Sequence, residues 1–296
     1  MSPFFTSTIQ AIGDYRAALG ETPVWCSRSQ SLLWVDILQQ RLLRYWPSRG
    51  YVEQRRLDCL FSAALPTERE EQFLIVAQQG ILLYHYEKSS AGRDTPRLEL
   101  LCPYPADAAG TRPNEAAIAP DGSLWFSTMD LAEERPIGGW YRFAAGEARP
   151  RSMMGHVTIP NTLAWHGDRV WFADSAEKRF YASDAAAINT ARLRVFDAGD
   201  KTPDGSALTA AGELINARFG HGCLSRYAIG DGELTLIEDL PLPVRQPSCC
   251  AFGGPGRNEL FITSAGKNLD PPGALDGALL HVYTSAVGAP EYRFRL

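Results

Sequence analysis

Glu21, Asn114, Asn161 and Asp204 stand at matching places ahead of four apolar segments of the chain, and Ser62 and Ser248 take the same place ahead of two more. Carboxylates and carboxamides present oxygen donors only, a set that suits a hard divalent cation such as Ca2+, Mg2+ or Mn2+. A carboxylate among them can also accept a proton from water. Without His or Cys the set is not that of a typical zinc site, although zinc held by carboxylates is compatible with it. Taken singly, each residue has a plainer reading. Pro203-Asp204-Gly205 is a common β-turn sequence, Glu21 could be a solvated turn carboxylate, and Asn114 and Asn161 could be turn residues. The shared register shifts the weight toward a site, because turns at the outer edge of a fold do not require such groups at one corresponding inner position.

That register is set by the core dipeptides Leu33-Trp34, Leu74-Ile75, Leu124-Trp125, Val170-Trp171, Leu214-Ile215 and Leu260-Phe261, spaced 41, 50, 46, 44 and 46 residues apart. Such a period marks radial or stacked repeats. The polar residues precede their dipeptides by 9 to 12 positions, at the start of the preceding apolar stretch. Within one repeat, Leu163-Ala164-Trp165, the run Arg169 to Asp174 and the run Arg179 to Ala182 are short strands too close together for a crossover helix, so they pair antiparallel. Turn sequences punctuate the chain at Pro120-Asp121-Gly122, His166-Gly167-Asp168, Gly230-Asp231-Gly232 and Gly253-Gly254-Pro255-Gly256. An all-β chain of such units closes best as a six-bladed β-propeller, whose edges are short and protected. Residues 1–296 therefore read as one propeller domain, with a strand at Phe4–Ala11 expected to pair with the last blade and close the ring. Helix is expected only as short turns at Asp130–Glu134 and Ser183–Asn189. If the stretch behind each polar residue is the innermost strand of a blade, all six residues share one end of a central channel.

The net charge of −5 argues against a non-specific nucleic-acid or anionic-membrane surface. No apolar run reaches the roughly 20 residues of a membrane span. The opening Met1-Ser2-Pro3-Phe4-Phe5-Thr6 lacks the basic and long apolar regions of a signal peptide. A cytoplasmic protein is expected, with neither nucleic acid nor membrane as partner. The six cysteines, Cys26, Cys59, Cys102, Cys223, Cys249 and Cys250, show no CxxC spacing and read as reduced and mostly buried. His85 and His281 read as surface or blade-packing residues, whereas His221, in a Gly-rich loop, could face the channel. No G-x-S-x-G elbow and no phosphate-binding Gly loop is present.

The segments resemble the senescence-marker-protein-30/gluconolactonase family, which also takes in regucalcin, in order along nearly the whole chain. Gly20-Glu21-Thr22-Pro23-Val24-Trp25 resembles the family's opening GExPVW. Arg112-Pro113-Asn114-Glu115 with Ser127-Thr128-Met129 resembles RxND…GTM, and Asn161-Thr162-Leu163-Ala164-Trp165 resembles NGLAWS. Pro203-Asp204-Gly205 matches the PDG turn, and Gln246-Pro247-Ser248 with Ala251-Phe252-Gly253-Gly254 and Ile262-Thr263-Ser264 resembles RPT…FGG…TS. The resemblance implies a six-bladed propeller that hydrolyses sugar lactones with one divalent metal ion held by Glu21, Asn161 and Asp204. Ca2+ is favoured, with Zn2+, Mg2+, Mn2+ or Fe2+ as alternatives. It also implies sugar contacts from Arg112 and Asn114, and an acidic contact soon after Met129 that falls on Glu133, with Glu134 beside it.

The activity so implied is opening of an aldonolactone by water, with Asp204 as general base and a small sugar lactone as the only partner. The alternatives are a metal-dependent esterase or organophosphate hydrolase, and a non-enzymatic calcium-binding propeller. Three departures from the family pattern bear on the preferred sugar. Thr162 replaces a Gly and restricts the backbone there, Glu115 replaces an Asp, and Leu214-Ile215-Asn216-Ala217-Arg218 replaces an LWVA-type strand.

Overall fold

A computed structural model describes residues 3–86, 98–188, 190–230 and 233–296. Among these residues the strands form six sheets of four, each an antiparallel meander. Five blades are built from consecutive strands, spanning residues 20–56, 61–103, 111–157, 160–197 and 202–241. The sixth holds three C-terminal strands, the last being Leu279–Tyr283, and takes its outermost strand, Gln10–Ile12, from the N-terminus. The pairs Gln10↔His281, Ala11↔Leu280 and Ile12↔Leu279 close the ring as expected. The closing strand is shorter than Phe4–Ala11 and ends one residue later; ahead of it, among the described residues, only Phe5 forms a β-bridge, to Thr284. Of Ser183–Asn189, Ser183 and Asp184 still belong to the third strand of blade 4 and the turn begins at Ala185; Asn189 lies outside the described residues, and a 3-10 turn follows at Thr190–Arg192. Of the Gly230-Asp231-Gly232 turn, only Gly230 is among the described residues.

The burial pattern explains why each core dipeptide reads as a continuous apolar run. The second strand of each blade is covered on both faces by its own neighbours and by the adjoining blades, as in Ser31–Asp36 and Arg169–Asp174. The outermost strands, such as Tyr51–Arg56, alternate between half-buried and exposed. Adjacent blades meet through aromatic rings. Trp140 of blade 3 packs edge-on against Phe172 of blade 4 at 5.7 Å. Phe180 of blade 4 meets Tyr227 of blade 5 at 5.5 Å, and Trp25 of blade 1 stacks on Phe261 of blade 6 at 5.9 Å. Such pairs bury a large area and favour particular ring geometries, which fixes the angle between blades.

The C-terminal segment was not anticipated from the repeat pattern. It bridges blade 5 at Thr209↔Gly288 and blade 2 at Thr67↔Phe294, so it crosses one end of the channel. Phe294 is buried there and stacks on Phe143. All six cysteines are buried and none is bonded to another. His281 hydrogen-bonds Glu259 at 2.8 Å and packs on Phe261, and His85 lies 3.9 Å from Glu99, so both are blade-packing residues.

Candidate active site at the channel mouth

The innermost strands are Gly20–Cys26, Phe61–Pro66, Thr111–Ile118, Pro160–His166, Thr202–Leu208 and Pro247–Gly253. Every one is irregular in its first half. The breaks in register fall between Glu21 and Val24, Phe61 and Ala63, Pro113 and Ala116, Asn161 and Leu163, Pro203 and Ser206, and Pro247 and Cys249. In each case the inner strand carries one residue more than its partner, which is a β-bulge. A bulge bends the strand and re-aims a side chain that the pleat would otherwise direct between blades. The six register residues sit at or inside these bulges. Proline helps to set four of them: Pro23, Pro113, Pro203 and Pro247 each lack the N–H that a regular ladder would use.

Four of the six converge. Glu21, Asn114, Asn161 and Asp204 line one cavity of about 80 Å³, together with Arg112, Glu133, Ser175, Lys267 and the apolar Leu19, Met129, Ile159 and Phe219. Ser62 and Ser248 do not line it. Ser248 instead hydrogen-bonds the Gly20 carbonyl and the Thr263 hydroxyl, tying blade 6 to blade 1 behind Glu21. A larger cavity of about 570 Å³ occupies the other half of the channel, between the second halves of the same strands and the C-terminal segment. Its walls mix apolar side chains such as Leu65, Ile118, Leu163 and Trp165 with Glu115 and, at the C-terminal segment, Glu291 and Arg293, whereas Glu21, Asn114, Asn161 and Asp204 face the small cavity. His221 is exposed and absent from the small cavity.

A directional hydrogen-bond chain runs round the cavity from blade 3 to blade 5. Arg112 Nη1 donates to Asn114 Oδ1 at 2.8 Å, and Asn114 Nδ2 donates to Asn161 Oδ1 at 2.9 Å and to the Pro160 carbonyl at 2.9 Å. Asn161 Nδ2 donates to Ser175 Oγ at 2.9 Å, and the Ser175 hydroxyl donates to the Pro203 carbonyl at 2.5 Å. This order fixes which end of each carboxamide is oxygen. Asn161 keeps one lone pair on Oδ1 uncommitted, and so does Asn114, whose two N–H groups are both used.

Across the cavity, Glu133 accepts from Arg112 Nη2 at 3.2 Å and from Lys267 Nζ at 2.7 Å. Burial opposes its ionisation, but the two cations outweigh that and hold the carboxyl below its usual value. Glu133 adopts a left-handed backbone, φ +62°, which is uncommon for a residue with a side chain. The conformation is imposed by Asp130, which accepts from the N–H groups of Glu134 and Arg135 and pairs with the Arg135 guanidinium at 2.8 Å.

Glu21 and Asp204 are 9% and 5% exposed. Neither forms an ion pair with a basic side chain among the described residues. Among the described residues Glu21 accepts only from its neighbour Thr22 N–H, at 3.3 Å. Burial is the main cause that pushes both carboxyls far above their ordinary range; the Glu115 carboxylate adds to it for Glu21, and the Glu21 and Glu115 carboxylates do so for Asp204. Buried anions without counter-charge are costly, and a divalent cation between them would remove that cost. The uncommitted Asn161 Oδ1 completes an oxygen-donor set, so the residues fit a hard cation. No group of three or more His, Cys, Asp or Glu side chains able to hold a metal occurs among the described residues; the candidate set is two carboxylates and a carboxamide.

Fold and site together define a six-bladed propeller with an acidic, oxygen-rich centre at one end of its channel. The chain belongs to the SMP-30/gluconolactonase/LRE-like family, whose model matches residues 19–266. It is 31% identical over 268 residues to a 6-deoxy-6-sulfogluconolactonase of Pseudomonas putida, covering 88% of each chain. It is 29% identical over 304 residues to an L-arabinolactonase of Azospirillum brasilense, covering 96% of this chain and 94% of that one. Among solved structures it superposes on a calcium-binding protein, regucalcin, from Agrobacterium tumefaciens, with a TM-score of 0.86, 27% identity and 97% coverage of each chain. The resemblance read from the motifs and the propeller read from their period are both borne out.

Lys267 and Ser175 were missed by sequence reasoning. Each follows the end of a second strand, one in blade 6 and one in blade 4, where the repeat register gives no expectation.

Proposed function

We propose that the protein hydrolyses a sugar lactone to the corresponding aldonic acid, with one divalent cation held by Glu21, Asn161 and Asp204. The observation that carries this reading is the convergence of those three residues with Arg112 and Glu133 on one small cavity, in a chain whose relatives include lactonases of both hexose and pentose type. The ion, when bound, supplies a Lewis acid that polarises the lactone carbonyl. The residues do the rest. Asp204 takes the proton from the attacking water, and its burial excludes competing solvent. Arg112 and Glu133, already hydrogen-bonded to each other, offer a donor and an acceptor to ring hydroxyls. Asn114 contributes its remaining Oδ1 lone pair to the sugar and holds Asn161 in register. Leu19, Met129 and Phe219 supply an apolar wall for the C–H face of the ring. Ca2+ is the first candidate ion.

The test is proton release over a panel of pentono- and hexonolactones, with metal-stripped protein and each divalent cation added back. Fast hydrolysis restored by one ion is expected. A rate equal to spontaneous opening under every ion would reject the lactonase reading, and turnover of aryl esters or phosphotriesters alone would move the protein to another hydrolase class. Arg112→Ala is expected to lower kcat/KM by about 10–100-fold, since it removes a charge-assisted contact to substrate and frees Asn114. Unchanged constants would remove Arg112 from the site.

A further inference from the structure

Thr162 carries a β-branched side chain at φ +57°, a conformation that such residues avoid because Cβ crowds the backbone. It is fully buried, as is Asn216 on the second strand of blade 5. Their side chains meet at one atom, the backbone carbonyl oxygen of Asp204. The Thr162 hydroxyl donates to it at 2.6 Å and Asn216 Nδ2 donates to it at 2.7 Å. Ser206 Oγ lies 2.9 Å from Thr162 Oγ1 and 3.0 Å from Asn216 Nδ2, which joins the two arms. Behind them Arg218 Nη1 donates to Asn216 Oδ1 at 3.1 Å and its other nitrogen reaches the Tyr227 hydroxyl at 2.7 Å, so the amide cannot turn over. The Thr162 N–H meanwhile reaches the Glu115 carboxylate. Asp204 sits inside a bulge and has no regular ladder partner between Pro203 and Ser206. Its place is therefore set by these side chains rather than by the sheet.

We propose that Thr162 and Asn216 are a pair of positioning residues for Asp204, and that the unfavourable backbone at Thr162 is retained because it aims the hydroxyl at the Asp204 carbonyl. The inference rests on the proposed ion-binding role of Asp204 and adds the residues that hold it in place. Residues that orient a ligand from behind typically govern affinity by about 10–100-fold. A glycine at 162 relieves the backbone and deletes the hydroxyl, so stability and ion affinity are expected to part company.

The test is calorimetric titration of Ca2+ and Mn2+ into metal-stripped wild type, Thr162→Gly, Thr162→Ser and Asn216→Ala, with thermal melts of each ion-free protein. Thr162→Gly should melt within a few degrees of wild type, yet bind the ion about tenfold more weakly. Thr162→Ser, which keeps the hydroxyl, should restore wild-type affinity, and Asn216→Ala should weaken binding by at least as much as Thr162→Gly. Wild-type ion affinity in both Thr162→Gly and Asn216→Ala would overturn the positioning role while leaving the ion reading intact. A wild type that binds no divalent cation would overturn the ion reading and the inference with it.

Discussion

Asp204→Asn is expected to reduce kcat for lactone opening by on the order of 10³-fold, within the range that general-base groups contribute. The substitution keeps the shape of the side chain and one oxygen, and it removes the negative charge and the proton acceptor. The groups that hold this segment, Thr162 and Asn216, bind the backbone carbonyl of residue 204 rather than its side chain, so the fold should be unaffected. Ion-free stability should even rise. Burial and the carboxylates of Glu21 and Glu115 oppose ionisation at this position, and a neutral amide relieves that repulsion. A variant that melts higher and turns over a thousandfold more slowly is the signature of a site kept unfavourable for function. Proton-release kinetics and a thermal melt of the same preparation decide the matter. Turnover within tenfold of wild type would take the base role away from Asp204, and a lower melting point would show that its carboxylate is structural.

The period, and hence the propeller, was legible because the second strand of each blade is buried on both faces. Leu33-Trp34 or Val170-Trp171 has the same environment in every repeat, and the chain answers with the same apolar pair. The channel residues were legible for a different reason: Glu21, Asn161 and Asp204 are polar at places where the neighbouring sequence is committed to burial. What the spacing could not convey is the bulge. A regular strand alternates its side chains, and nothing in Arg112-Pro113-Asn114-Glu115 alone says that Asn114 and Arg112 would join hands while Glu115 turns down the channel. Ser62 and Ser248 show the limit of the register argument: they share the position, yet Ser248 ties blade 6 to blade 1 and the buried Ser62 hydroxyl has no hydrogen-bond partner among the described residues. Glu133 was placed by analogy. Its actual reason for reaching the cavity is the left-handed turn clamped by Asp130 and Arg135, which depends on tertiary hydrogen bonds that no local pattern encodes. Lys267 arrives from the far side of the ring, 134 residues from its partner Glu133, a separation over which spacing carries no information.

Ring closure sets the second large expectation: Phe4→Ala should destabilise the protein by about 3–5 kcal/mol, the usual cost of emptying a buried aromatic site. Phe4 is 2% exposed although it lies near the chain terminus. It belongs to one buried cluster that joins Ile215 and Leu224 of blade 5 to Leu260, Ile262 and Val282 of blade 6, and the Arg226 guanidinium lies over its ring at 4.9 Å. The segment that carries it is otherwise held to the last blade by few bonds: Ser285 N–H to the Phe4 carbonyl at 2.9 Å, Thr6 N–H to the Tyr283 carbonyl at 2.8 Å beside the bridge from Phe5 to Thr284, Tyr283 N–H to the Ser7 hydroxyl at 2.9 Å, and the three paired residues Gln10 to Ile12. So few strand hydrogen bonds cannot by themselves offset the entropy of ordering a dozen residues. The buried ring must supply the difference, and without it the outer edge of blade 6 loses its cover and becomes a template for pairing with another chain. The substitution lies outside the small cavity, so kcat of the folded enzyme should be unchanged at low temperature while the urea midpoint falls and aggregation on heating increases. A loss below about 1 kcal/mol would mean that the strand pairing alone closes the ring; a loss of kcat at low temperature would mean instead that blades 5 and 6 transmit their packing to Asp204.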